Sequence, residues 1–244
     1  ILANAGFGST EQPAPYQWTL WLTPLFLLLA VYLVGLMRDV MPGDDSNQSA
    51  EDDGQTTPAQ SIFWLLAFFG LLRFLQVGGV ASMQTFFNVY MDRELHVSTA
   101  TIGNIQAIAK LLGVPAAFAI PWFTRKLGSA GTVILALTVS ALGMLPMAWI
   151  PIWWVGATGY IAVWLTTPAR YAAFMVFIMS RTPSRQHGTL NGTQEGLAGF
   201  GFAVVALLGG YMIQSLGYSL LFTFSACAML LGAGLLAWYA RRTR

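Results

Sequence analysis

Residues 61–90 read SIFWLLAFFGLLRFLQVGGVASMQTFFNVY, an apolar run without proline and with one ionised side chain, Arg73, near its middle. A bilayer core of ~30 Å is crossed by roughly 20 apolar residues at 1.5 Å rise each, so this run predicts one membrane-crossing helix with length to spare. At 100° per residue, Arg73, Gln76, Val77, Gln84 and Asn88 fall within about 120° of one another. Lipid cannot hydrogen-bond such a stripe, so it must face protein or a water-filled cavity. Arg73 lies about 17 Å from the helix start, too deep to snorkel easily. The stripe is therefore expected to line a substrate path. The plain alternative is an arginine satisfied inside a helix bundle.

The rest of the chain has the same character. It is 56% hydrophobic and 9% charged, against about 25% charged residues in a soluble domain. An all-α integral membrane protein follows. Its one cysteine, Cys227, permits neither an internal disulfide framework nor a cysteine-based metal site, and no cofactor motif is present.

Seven spans can be drawn, at residues 18–37, 62–91, 99–123, 131–150, 153–180, 189–213 and 218–240. In the connections, Arg38, Arg125, Lys126, Arg181, Arg185, Arg241, Arg242 and Arg244 fall on one side and Arg93 alone on the other. The positive-inside rule places the first group, and the C-terminus, in the cytoplasm of a multi-pass cell (inner) membrane protein. Residues 1–17 then form an exterior loop remnant, 18–37 a transmembrane helix, 38–61 an acidic cytoplasmic linker, and 62–244 a six-helix bundle. The linker holds six of the ten acidic residues and reads as a solvated, flexible connection. The chain lacks an initiator methionine and a basic signal segment, so an N-terminal truncation is expected.

This order resembles the major facilitator superfamily of secondary transporters, in which two six-helix halves are joined by a long cytoplasmic loop. The first span corresponds to helix six of that family and the following spans to helices seven to twelve. Pro121-Trp-Phe-Thr-Arg125-Lys126-Leu127-Gly128 is similar to the family's cytoplasmic turn, with Arg125 standing where an aspartate is usual. Ser180-Arg-Thr-Pro-Ser-Arg-Gln-His-Gly188-Thr-Leu-Asn-Gly192 is similar to the loop between helices ten and eleven, and the segment from Asn88 to Gly103 to the exterior turn between helices seven and eight. The resemblance implies alternating access to a small-molecule substrate, by symport or antiport. It also implies an N-terminal half that is missing from this sequence, and a cavity lined mainly by helices seven, eight, ten and eleven.

The polar residues inside the spans fall on the corresponding helices. Gly103, Gln106, Lys110 and Gly113 share one face. Thr166, Thr167, Arg170 and Phe174 share another, and Asn191, Glu195 and Gly199 a third. The expected cavity residues are thus Arg73, Gln76, Gln84, Asn88, Gln106, Lys110, Arg170 and Asn191. Coupling or gating is expected of Glu195, Arg125, Lys126, Arg181 and Arg185. Glu195 is expected to pair with Arg170, or with Arg181 or Arg185.

Three cations at mid-membrane depth, Arg73, Lys110 and Arg170, stand against one acid, Glu195. An uncompensated charge in low dielectric is costly. Either carboxylates from the missing half offset the excess and carry protons, or the substrate is an anion held by the arginines and the lysine.

Glycines 188, 192, 196, 199 and 201 crowd one span, and Gly192 with Gly196 makes a small-xxx-small pair suited to close helix packing. Pro24, Pro115, Pro146 and Pro168 mark expected kinks. A seven-helix receptor shares this topology, but the last span has no lysine for a retinal Schiff base and the later connections are short. An intramembrane enzyme has no support: His96 and His187 lie in connections, away from any nucleophile or paired carboxylate. The basic residues are dispersed over loop ends, which excludes nucleic-acid binding. The tail from Arg241 to Arg244 reads as a membrane-surface anchor.

Overall fold

The structure, a computed structural model, describes residues 59–182 and 186–242 together with Pro24, Leu28, Val31 and Tyr32. The chain divides into two compact units, Ile1–Ala59 and Gln60–Arg244. In the first unit the four described positions are helical and exposed. The expected exterior loop, Arg38, and the acidic linker up to residue 58 lie outside the described residues, as does most of the first span.

Four helices make up the second unit: α1 (Ala59–Arg93), α2 (Thr99–Trp149), α3 (Trp153–Met179) and α4 (His187–Arg242). All four are long and apolar enough to cross a membrane. Among the described residues there is no strand. The fold is all-helical, consistent with part of a major facilitator bundle.

α2 and α4 contain 51 and 56 residues. Unbroken, each would exceed ~75 Å, more than twice a bilayer core. Each instead breaks at one glycine. Gly128 has φ 73° and ψ 169°, and Gly217 has φ 79° and ψ 174°. This left-handed region is open essentially to glycine alone. Helix resumes at once after each glycine, so a single residue does the work expected of the short connections RKLGSA and QSLG. α2 therefore has arms at 99–127 and 129–149, and α4 at 187–216 and 218–242.

The contacts show that the chain reverses at both breaks. Asn88 of α1 meets Gln106 in the first arm of α2, whereas Tyr90 donates to the Met147 carbonyl near the end of the second arm. The same end of α1 thus meets the start of one arm and the end of the other. Likewise α1 runs parallel to the first arm of α4, with Gly70 against Leu197, Phe74 against Gly201 and Gly78 near Val205. It runs antiparallel to the second arm, with Phe68 and Phe69 against Tyr239 and Gly79 against Met229.

The remaining helix ends follow local rules. α1 closes through Glu94 and Leu95 amides donating to the Tyr90 carbonyl, and His96 takes φ 52° in the turn that follows. Ser98 then caps α2, its hydroxyl accepting from the Thr101 amide at 3.3 Å. Pro115, Pro146 and Pro168 sit inside helices whose φ and ψ stay helical, so none of them breaks its helix as the two glycines do.

α1 is the hub. Phe69 meets Phe174 and Phe177 of α3 edge-on, and Phe87 stacks on Tyr160 at 4.1 Å between centroids. Tyr90 packs on Tyr218 and Phe222 of α4. On the outside, Phe118, Leu111 and Phe224 are exposed, a surface suited to lipid rather than water.

The second arm of α2 and α3 approach closely enough for backbone to meet backbone. A Cβ on Gly159 would stand 2.6 Å from the Gly143 carbonyl oxygen, and one on Gly143 would stand 2.7 Å from Ala162. The expected packing pair, Gly192 and Gly196, has nothing within 4 Å of either added Cβ, and neither have Gly188 and Gly199. These four glycines face open space. Gly201 alone in that group packs closely, against Phe74.

Candidate functional site

Arg73 is buried on α1 at the level where α1, α3 and the first arm of α4 converge. Its Nη2 donates to Glu195 Oε1 at 3.2 Å. Its guanidinium lies over the Tyr171 ring, 5.0 Å from the centroid. The pairing of Glu195 thus differs from expectation: its partner is Arg73 rather than Arg170 or Arg181. The parallel register of α1 and α4 sets this, because it brings positions 70–78 of one against 197–205 of the other.

Arg170 is buried on α3, where its Nη2 donates to Thr167 Oγ1 at 3.2 Å, one turn back on the same helix. Close by in sequence, the Thr166 and Ser140 side chains share a hydroxyl hydrogen bond of 2.6 Å between α3 and α2. Arg170 lies near enough to Arg73 for the two charges to repel.

Several polar atoms in this region are buried without a hydrogen-bond partner. They are Arg73 Nε, one terminal nitrogen of Arg170, and both amide atoms of Gln76 and of Gln194. A buried polar group left unpaired costs ~1–3 kcal/mol. Six such atoms, two on the guanidiniums themselves and four on glutamines that lie three residues from Arg73 or next to Glu195 in sequence, are too many for a purely structural core. Most are donors, so the region is short of acceptors and of negative charge.

The other expected cavity residues separate into two groups. Gln84, Asn191 and Lys110 are exposed on the bundle surface. Lys110 reaches over the Trp164 ring at 5.6 Å, which connects it to the buried region. Asn88 and Gln106 instead meet each other by an amide hydrogen bond. They line a separate cleft of about 380 Å³ with Asp92, Arg93, Thr99 and Gly103, between the end of α1 and the start of α2. The polar stripe on α1 is therefore split: Arg73 and Gln76 are buried, while Gln84 and Asn88 are exposed.

The expected gating residues lie at helix-arm ends. Arg125 and Lys126 are exposed, and Lys126 rests on the Trp122 ring at 4.2 Å. Arg181 covers Phe177 at 3.9 Å and donates to its carbonyl. Arg185 lies outside the described residues. None of these touches Glu195 among the described contacts.

Tyr171, Gln194 and Trp164 belong to the region but were not anticipated. Gln194 neighbours Glu195 in sequence, and Tyr171 neighbours Arg170, so proximity along the helix was the available signal. Among the described residues no group of three or more His, Cys, Asp or Glu gathers to hold a metal.

A polar, cation-rich interior within long apolar helices cannot be satisfied by lipid, so in a multi-pass membrane protein it faces protein or water. Residues 14–225 match the model of the MFS_1 like family, the major facilitator type of transporter. The match spans most of the chain, and the protein therefore belongs to the MFS_1 like family of membrane transporters.

Proposed function

We propose that the protein moves a small anionic solute across the cell membrane by alternating access, with Arg73, Gln76, Arg170 and Gln194 forming its wall of the solute site. The observation that carries this reading is the surplus of unpaired donors on and beside two buried guanidiniums, with one carboxylate on Arg73. An anion supplies both the negative charge and the acceptors that this region lacks. Lys110, over Trp164, extends the positive field toward the surface. The opposite wall belongs to the other six-helix half of the family's fold, and the C-terminus faces the cytoplasm.

Uptake into proteoliposomes containing the full-length protein tests this. A panel of small organic anions, neutral solutes and cations is compared for wild type and Arg73→Gln. Uptake of an anion that Arg73→Gln abolishes supports the reading. Uptake restricted to neutral or cationic solutes, or undiminished in Arg73→Gln, sinks it.

Proton coupling is a second reading, favoured by one observation. Glu195 is the acid paired with the buried Arg73, and its side chain is 49% exposed, so it can exchange protons with water. An imposed pH gradient that leaves uptake unchanged removes this reading.

A further inference from the structure

The ion pair between Arg73 and Glu195 is unequal. The Arg73 side chain is 9% exposed and the Glu195 side chain 49%. Arg73 is the fixed member, since moving it would strip a buried cation of its surroundings. Glu195 can leave toward solvent with little desolvation cost. The contact itself is also incomplete. One Nη of Arg73 holds one carboxylate oxygen, and Nε of the same fork has no partner. A carboxylate placed squarely on a guanidinium takes two parallel hydrogen bonds. Glu195, tethered to α4, makes only one. Beyond it, Arg170 keeps a second unpaired nitrogen.

We propose that Glu195 is the internal counter-anion of the solute site: it occupies Arg73 while the site is empty and is displaced when the solute's own anionic group arrives. The exchange is one hydrogen-bonded ion pair for another. The Nη2 contact to Oε1 of Glu195 breaks, and Nη2 and Nε of Arg73 together hold the incoming group. Glu195 stays ionised and rotates off Arg73 while remaining beside the cluster, so its charge still counts there. This inference rests on the anion-site reading above and adds the charge of the solute to it. With Arg73, Arg170 and Glu195 all ionised, the cluster carries a net charge of plus one. The favoured ligand is therefore a monoanion with a planar carboxylate-like head. A dianion would overshoot neutrality while Glu195 remains ionised.

The same count makes a second statement. Removing the Glu195 charge raises the cluster to plus two, so both kinds of anion should bind more tightly and the preference should move toward the dianion. The Gln76 and Gln194 amides bear no charge and cannot produce that shift.

The test uses the full-length protein in detergent, with formate as the monoanion probe and sulfate as the dianion probe, titrated calorimetrically. Wild type should bind formate in preference to sulfate. Glu195→Gln should tighten formate by about tenfold or more and sulfate by more still, as expected for freeing a charged fork from a competing carboxylate. Glu195→Asp, which keeps the charge but shortens the reach, should fall between them. It also carries the test if Glu195→Gln does not yield folded protein. Arg73→Gln, alone or combined with Glu195→Gln, should abolish formate binding.

If formate binds equally to wild type, Glu195→Gln and Glu195→Asp but not to Arg73→Gln, the exchange is overturned and the anion site stands. If wild type prefers sulfate, the assignment of a monoanion is overturned. If formate binds to none of them, or binds undiminished to Arg73→Gln, the anion site fails and the exchange with it.

Discussion

Arg73 of α1 and Glu195 of α4 form an ion pair at 3.2 Å across 122 residues of chain. It ties two parallel helices together at mid-length with one member buried and the other half-exposed. Such a pair should show strong coupling and asymmetric single-site effects. In thermal unfolding in detergent, Arg73→Gln and Glu195→Gln should each destabilise. The double variant should be less destabilised than their sum, with a coupling of about 0.5–3 kcal/mol. Glu195→Gln should be the worse of the two, because it leaves a buried cation unpaired. Additive losses would show that the contact contributes nothing.

The Tyr171 ring beneath the Arg73 guanidinium makes a separable contribution. Tyr171→Leu should lower stability by roughly 0.5–2 kcal/mol through loss of the cation–π contact. Tyr171→Phe, which retains the ring, should be near neutral. Equal effects of the two changes would mean that the hydroxyl, not the ring face, is what matters.

Gly143 and Gly159 let α2 and α3 touch through their backbones. Gly159→Ala should destabilise by about 1–3 kcal/mol, since the new methyl meets a main-chain carbonyl that cannot move aside. Gly192→Ala should be neutral or gain up to ~1 kcal/mol, because its Cβ meets open space and alanine is the better helix former. Melting temperatures of the two variants compared side by side decide this. The reverse order would place the close helix contact at Gly192.

At Gly128 and Gly217 the backbone itself is the constraint. Both stand at positive φ with an extended ψ, where a side chain costs about 1–3 kcal/mol. Neither position has an atom within 4 Å of an added Cβ. Gly128→Ala and Gly217→Ala should therefore lose stability through conformation and not through a clash. Gly217→Asn should lose about as much, because the αL basin that asparagine visits has a ψ of about 50° and not the extended ψ of this site. Full stability of both alanine variants, read by size exclusion and thermal melting, would mean that the helices can reverse through some other geometry.

The local chemistry of the chain determined what kind of protein this is. Long apolar runs, such as residues 61–90 with Arg73 as their one charge, admit only hydrogen-bonded helices in lipid, and the turn around Arg125 to Gly128 already resembled the transporter family to which the chain belongs. Helix-wheel spacing also put Arg73 and Gln76 on one face, because rotation per residue is a property of a single helix. The tertiary structure alone decided what that face meets. Glu195 pairs with Arg73 and not Arg170 because α1 and α4 run parallel in one register, and no one-dimensional spacing encodes the relative shift of two helices. The glycines show the same limit. Five crowded into one span looked like a packing seam, yet the contact that brings backbones together is made by Gly143 and Gly159, in two other helices. A small residue marks only where close approach is possible; the rotation of the neighbouring helix determines whether it occurs.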